Sequence, residues 1–77
     1  MQQGGGVHTV PAEGKGRNGW WNKLEGKIVS RHRLKYVAVA AGREIAKRLK
    51  LEHTIHREDG EIAEKNSYGN DGFPPKG

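Results

Sequence analysis

One segment of the chain carries a continuous helical pattern, and this pattern limits the folds that the rest can adopt. Residues 34–50 are rich in Ala, Lys, Arg and Leu, all of which favour helix. Apolar side chains recur there at spacings of four and three residues, which predicts one apolar stripe. The stripe comprises Leu34, Ala38, Ala41, Ile45 and Leu49, and Val37 widens it. A 77-residue chain with one amphipathic helix must bury that stripe against short strands.

Three features of the helix itself give further expectations. Residues 31–34 offer no Ser, Thr, Asp or Asn, so the helix start is poorly capped. Arg43, Lys47 and Lys50 share one face and form a candidate basic surface. Gly42 costs about 1 kcal/mol relative to Ala inside a helix, and we therefore expect the helix to approach the sheet closely at that residue.

The residues before the helix contain three strand-like runs. Residues 7–10 alternate apolar and polar side chains, and Pro11 either ends that strand or marks it as an edge strand. Residues 12–19 are Gly-rich and predict a flexible turn. Residues 20–25 and 27–31 predict a second and a third strand.

The second strand carries the two tryptophans of the chain. Trp20 and Trp21 are adjacent, so they must lie on opposite faces of a strand. We expect one indole to be in the core and the other to be at least partly exposed to water. Gly26, just after this strand, allows a tight turn into the next one.

The residues after the helix predict a hairpin. Residues 52–58 and 61–65 flank an Asp-Gly pair, which is a strong hairpin signal. A two-residue turn places Arg57 opposite Ile62. Ile55 and Ile62 then share the face that points to the core.

These elements predict an α+β fold in the order β-β-(β)-α-β-β. The expected architecture is a small antiparallel sheet of four to five strands with one helix packed across it. Residues 1–6 are predicted to be a disordered lead-in, residues 7–66 a single domain, and residues 67–77 a Gly/Pro-rich tail.

Composition excludes several classes of protein. Hydrophobic residues make up 32% of the chain, too few for a large core or a buried catalytic cavity. The absence of Cys removes disulfides, thiolate metal sites and a thiol nucleophile. The longest apolar run is residues 37–41, which is too short for a signal peptide or a membrane span. We therefore expect a cytoplasmic protein with no membrane partner.

Several segments together resemble a family of short bacterial proteins, the domain of unknown function 2188 family. The resemblance covers residues 7–77, and its ordered pieces are Val7-His8-Thr9-Val10-Pro11, Gly19-Trp20, Gly42-Arg43-Glu44-Ile45-Ala46, Ile55-His56-Arg57, Asp59-Gly60-Glu61-Ile62 and Ser67-Tyr68-Gly69-Asn70-Asp71. The sequence departs from the family pattern at the helix start and at His53, where the family usually has an apolar residue. The resemblance implies the fold and a bacterial setting, and it brings no established activity.

The histidines do not predict a metal site. His53 and His56 have the H-x-x-H spacing, but residues three apart on a strand point to opposite faces. His8 and His32 are expected at the surface. We predict no metal and no cofactor.

Other catalytic patterns are equally weak. The acidic cluster of residues 58–64 lies on a predicted exposed turn, where no cleft raises the pKa of a carboxyl. Residues 14–19 match G-x-G-x-x-G, but they precede a strand and not a helix, so a flexible turn is the better interpretation. We predict no catalytic residue and no enzyme.

The distribution of charge gives the main functional hypothesis. Net charge is +5, and the first 50 residues carry +8 against −3 for the remainder. Basic proteins attract polyanions, and aromatic side chains can stack on bases. We predict weak, sequence-tolerant nucleic-acid binding by a basic–aromatic set: Lys15, Arg17, Trp21, Lys23, Lys27, Arg31, Arg33 and Lys35.

Two other interpretations remain open. The cations could form an ordinary solvated face. The chain could also be a protein-interaction adaptor that uses an edge strand at residues 7–10, an exposed Trp and the tail segment Phe73-Pro74-Pro75. We expect a monomer or a weak homodimer.

Overall fold

The computed structural model describes residues 6–13 and 18–69, which form one sheet and one helix. The elements are β1 (Val7–Pro11), β2 (Trp20–Leu24), β3 (Lys27–His32), α1 (Lys35–Leu49), β4 (Glu52–His56) and β5 (Ile62–Ser67). The predicted α+β class with one helix across a sheet is confirmed, and each predicted element agrees to within two residues at either end. No helix among the described residues has the length and apolar character needed to cross a membrane. The predicted lead-in and tail lie largely outside these residues.

The sheet is mixed and not purely antiparallel as predicted. The strand order is β3-β2-β1-β4-β5, and β1 pairs with β4 in parallel while the other neighbours are antiparallel. The helix is the physical reason. A chain that crosses the sheet as a helix returns to the end where it started, so β4 runs in the direction of β3. Since two hairpins make β3 parallel to β1, β4 and β1 are parallel as well.

The prediction of an edge strand at residues 7–10 is wrong. β1 is the central strand, paired with β2 on one side and β4 on the other. Pro11 lies at the end of β1 opposite Trp20, where a missing N–H interrupts little of the ladder. The free edges of the sheet belong to β3 and β5.

The helix covers one face of the sheet and contacts β1 to β4. We call this the helix face and the opposite one the open face. Trp20 is 7% exposed and belongs to the core, whereas Trp21 is half-buried on the open face. The prediction of one buried and one partly exposed indole is therefore confirmed.

The helix packs through small residues and not through its largest apolar ones. Its buried positions are Ala38, Gly42 and Ala46, spaced four residues apart on one line. Leu34 and Leu49 of the predicted stripe are about half exposed. The contact line is thus rotated away from the predicted stripe, because small side chains let the helix come close to a face that is itself partly polar.

The hairpin between β4 and β5 has a three-residue turn, not the predicted two-residue one. Arg57 N–H donates to the Glu61 carbonyl, and Gly60 N–H donates to the Arg57 carbonyl. Gly60 has a φ of 93°, so the turn ends in a glycine bulge. The pairing moves by one residue, and Ile62 lies opposite His56 with its side chain 54% exposed. The predicted inward-facing position of Ile62 is wrong.

The helix start is poorly capped, as expected, whereas the helix end is closed by backbone hydrogen bonds. Leu34 at the N-cap makes no side-chain capping hydrogen bond, and no acidic residue lies in the first turn. At the other end Lys50 adopts the left-handed conformation, with φ of 59°. Leu51 N–H donates to the Ala46 carbonyl, and Lys50 N–H to the Lys47 carbonyl. This is a Schellman motif in which Lys occupies the position that glycine favours.

Candidate functional site

A hydrogen-bonded network of polar side chains lies beneath the helix and includes residues from four strands. Thr9 Oγ1 donates to Asn22 Oδ1 at 2.5 Å, and Nε2 of His53 lies 2.7 Å from the same hydroxyl oxygen. Asn22 Nδ2 donates to Ser30 Oγ at 3.0 Å and to the Ala38 carbonyl at 2.9 Å. Thr9, Asn22 and His53 are fully buried. The network ties the helix backbone to the sheet.

The hydrogen bonds fix the tautomer of the buried histidine. The Thr9 hydroxyl has one hydrogen, which it donates to Asn22. The contact between Thr9 and His53 therefore requires that Nε2 of His53 carries the proton and donates it. Nδ1 of the neutral ring is then an acceptor, and it is the one buried side-chain polar atom of the described residues that lacks a hydrogen-bond partner.

Electrostatics keep this histidine neutral. Burial lowers the pKa of His53, and the nearby Arg43 guanidinium lowers it further, while Glu64 opposes the change. A neutral imidazole with a committed Nε2–H, shielded from solvent, is a structural group. We assign it no chemistry.

The open face carries a second group of polar and aromatic side chains. Trp21 lies there with Val10 directly across on β1 and Arg31 directly across on β3. Lys23 Nζ is 5.9 Å from the centre of the Trp21 ring and 3.8 Å from Oε2 of Glu13. A shallow depression of about 310 Å³ at this end of the sheet is lined by Ala12, Asn18, Trp21, Arg31, His32 and Arg33.

The structure brings only some of the predicted nucleic-acid-binding residues together. Trp21, Arg31 and Arg33 line this depression, and Lys23 lies beside the Trp21 ring; we call these four the Trp21 cluster. Two others lie elsewhere: Lys27 is opposite Leu24 at the far end of the β2–β3 hairpin, and Lys35 Nζ lies 5.0 Å from the centre of the buried Trp20 ring. Lys15 and Arg17 lie outside the described residues.

The open face also joins two histidines that the sequence analysis treated separately. Nδ1 of His8 on β1 lies 3.1 Å from Nε2 of His56 on β4. The ring centres are 5.3 Å apart, so the two nitrogens lie nearly on the line between the rings. Nδ1 of His56 donates to the Gly60 carbonyl at 3.0 Å. His8 is thus half-buried and partnered, which corrects its predicted surface position.

Burial and neighbouring charge act on this pair. Desolvation lowers the pKa of His8, and both His56 and Lys65 lower it further, while Glu52 opposes them. The opposite-face prediction for His53 and His56 is confirmed, because His53 points to the helix and His56 to the open face. His32, also expected at the surface, is partly buried with Nε2 3.1 Å from Ser30 Oγ.

Comparison with known proteins identifies the family. A family model described as "Uncharacterized protein conserved in bacteria (DUF2188)" matches residues 7–68, which include every strand and the helix. The chain belongs to the DUF2188 family. Neither the curated proteins nor the solved structures provide a match. The DUF2188 family has no established activity.

The His8–His56 pair of this DUF2188 chain does not follow from any local sequence pattern. The two residues are 48 positions apart and meet only because β1 and β4 are parallel neighbours. A strand order with β1 at an edge gives no such contact. The one available signal was that each histidine directly follows an apolar residue in a strand-like run, Val7 before His8 and Ile55 before His56.

Proposed function

We propose that the open face binds single-stranded nucleic acid at the Trp21 cluster. The observation that carries the proposal is one half-buried indole that shares a depression with Arg31, its partner on β3, and has the Lys23 ammonium 5.9 Å from its ring centre. An aromatic side chain on the face of a sheet offers a stacking surface to an unpaired base, and flanking cations take the phosphates.

The geometry favours a single strand over a duplex. The depression beside Trp21 is open and about the size of one base with its sugar. Stacking on Trp21 needs a base whose face is free, which a duplex does not present. Cationic side chains that contact phosphates carry no sequence information. Without side chains that hydrogen-bond to base edges, the binding tolerates many sequences.

A fluorescence titration with oligothymidylate and oligouridylate tests the proposal. Stacking is worth about 1–3 kcal/mol per base, so Trp21→Ala is expected to weaken binding about tenfold or more. Three phosphate contacts give a salt slope of about −2 for a single strand, so affinity falls roughly twentyfold between 50 and 200 mM salt. Trp20 remains as an internal reference, since it is buried.

Controls separate this outcome from non-specific attraction. Trp21→Phe keeps a stacking face and is expected to retain most of the affinity. A duplex of the same length is expected to bind more weakly than either single strand. Absence of binding at low salt, or equal affinities of the wild type and Trp21→Ala, overturns the proposal.

A protein-interaction adaptor is the second candidate, and one observation favours it. Leu34 and Tyr36 at the helix start are 52% and 74% exposed, and with Val39 they line an open groove beside the helix. Partner capture at this groove would be insensitive to salt and to Trp21→Ala. It would be lost in Tyr36→Ala, which leaves the open face unchanged.

A further inference from the structure

The His8–His56 pair has the spacing of two ligands of one metal ion. Nδ1 of His8 and Nε2 of His56 are 3.1 Å apart. A tetrahedral Zn²⁺ with Zn–N distances of ~2.0–2.1 Å holds two imidazole nitrogens about 3.3 Å apart. The two nitrogens therefore already lie within a few tenths of an ångström of a chelating separation, and a turn of roughly 35° by each ring directs both lone pairs at a common tetrahedral ion.

The second ring nitrogen of His56, Nδ1, makes the kind of hydrogen bond that is common for metal-bound histidines. Its Nδ1–H donates to the Gly60 carbonyl at 3.0 Å. Such a bond to a carbonyl fixes the tautomer and leaves Nε2 unprotonated, with its lone pair accepting the Nδ1–H of His8; a bond of this kind is how proteins orient histidine ligands. That lone pair points at His8 and not at solvent.

We propose that His8 and His56 form a two-histidine site for a divalent transition metal ion that prefers imidazole, namely Cu²⁺, Ni²⁺ or Zn²⁺. Binding moves the proton of His8 from Nδ1 to Nε2, so the neutral pair loses no proton. Water fills the remaining positions of the ion. The site uses none of the Trp21 cluster as a ligand, although Lys23 of that cluster lies across from His8 on β2.

The charges around the pair set the direction of two tests. Lys65 on β5 is opposite Thr54 and lies near His8, and its positive charge opposes a bound cation. Glu52 acts in the favourable sense. Both side chains are exposed, so replacing them leaves the core unchanged.

Titration of the full chain with the chloride salts of the three ions tests the site. Once one histidine has bound the metal ion, the other is already beside it, so the second metal–nitrogen bond forms at a high effective concentration. His8→Ala and His56→Ala are therefore each expected to bind at least ~10-fold more weakly than the wild type. His32→Ala is the matched control and is expected to bind as the wild type does. Affinity should be greatest for Cu²⁺, while Mg²⁺ should not bind.

Two measurements keep the test decisive if a histidine variant folds poorly. Lys65→Gln is expected to tighten binding, and Glu52→Gln to weaken it, each by about two- to fivefold as single nearby charges do near a surface. Substoichiometric Cu²⁺ should broaden the NMR signals of His8, His56 and Gly60 before all others. Binding that is equal in the wild type and both histidine variants, or broadening centred elsewhere, overturns the proposal.

Discussion

Gly42 of the helix lies directly on the side chain of Asn22. A Cβ at position 42 would stand 2.6 Å from Asn22 Oδ1, 2.7 Å from His53 Nε2 and 2.8 Å from Thr9 Oγ1. All three atoms belong to the buried hydrogen-bond network, and none is the free end of a flexible chain. The packing of the helix therefore depends on both features. Glycine at position 42 lets the helix approach the sheet closely, and the polar network fills the space beneath Gly42.

Gly42→Ala is expected to destabilise the protein although Ala is the better helix former. The added methyl overlaps three buried atoms, and overpacking of this kind costs about 1–3 kcal/mol, more than the ~1 kcal/mol of helix propensity that Ala regains. Urea denaturation measures the difference. Ala40→Gly at an exposed helix position is the control and should lose about 1 kcal/mol. A Gly42→Ala protein more stable than the wild type would contradict the close packing.

Stability should fall in mild acid, and His53 should account for part of the fall. Burial lowers its pKa in the folded chain below the ordinary value of 6.5, so the unfolded chain binds the proton more readily. Stability is then complete above pH 6.5 and is lost as the pH drops toward the lower folded pKa. His8 acts in the same direction. Urea midpoints at pH 7.5 and pH 5 measure the loss.

His53→Leu isolates the contribution of this histidine. It removes one hydrogen bond but also the buried unpartnered nitrogen, and Thr9 keeps its bond to Asn22. The expected change at pH 7.5 is within about 1 kcal/mol. Relative to the wild type, the variant should be more stable at pH 5 than it is at pH 7.5. An unchanged dependence of stability on pH in His53→Leu rules out its titration as a cause.

The parts that the sequence predicted are those decided locally. Strand alternation, helix length, the close approach at Gly42 and the opposite placement of Trp20 and Trp21 all follow from neighbouring residues. The parallel pairing of β1 with β4 depends on where the helix crossover returns the chain, which no local pattern encodes. The position of Ile62 depended on one residue of turn length, and a single-residue shift exchanges the two faces of a strand.

The candidate site, like the fold, was predictable from the sequence only where its residues are brought together by local structure. Trp21 and Arg31 belong to neighbouring antiparallel strands joined by a tight turn, so their proximity was within reach of the sequence. Lys27 and Lys35 are near them in sequence but not in space, because the hairpin end and the helix start separate them. The buried network joins residues from four strands, and only the final packing brings them together.

Lys50→Gly should stabilise the helix end. A non-glycine residue in the left-handed conformation costs about 1–2 kcal/mol, partly offset by the larger entropy that glycine loses on folding. We expect a gain of about 0.5–1 kcal/mol in urea denaturation. Arg48→Gly, two residues earlier in ordinary helical geometry, is the matched control and should lose about 1 kcal/mol. A loss of stability in both variants would contradict the strain assigned to Lys50.

Arg31→Gln and Lys27→Gln distinguish a localised nucleic-acid site from general positive charge. Both variants remove one charge from β3, but only Arg31 lies across from Trp21. If single-stranded nucleic acid lies along the Trp21 cluster, Arg31→Gln loses one phosphate contact. The slope of log affinity against log salt then becomes less steep by about 0.7. Lys27→Gln should keep the wild-type slope. Oligothymidylate titrations at four salt concentrations measure both slopes, and equal slopes in the two variants would show that net charge alone drives the binding.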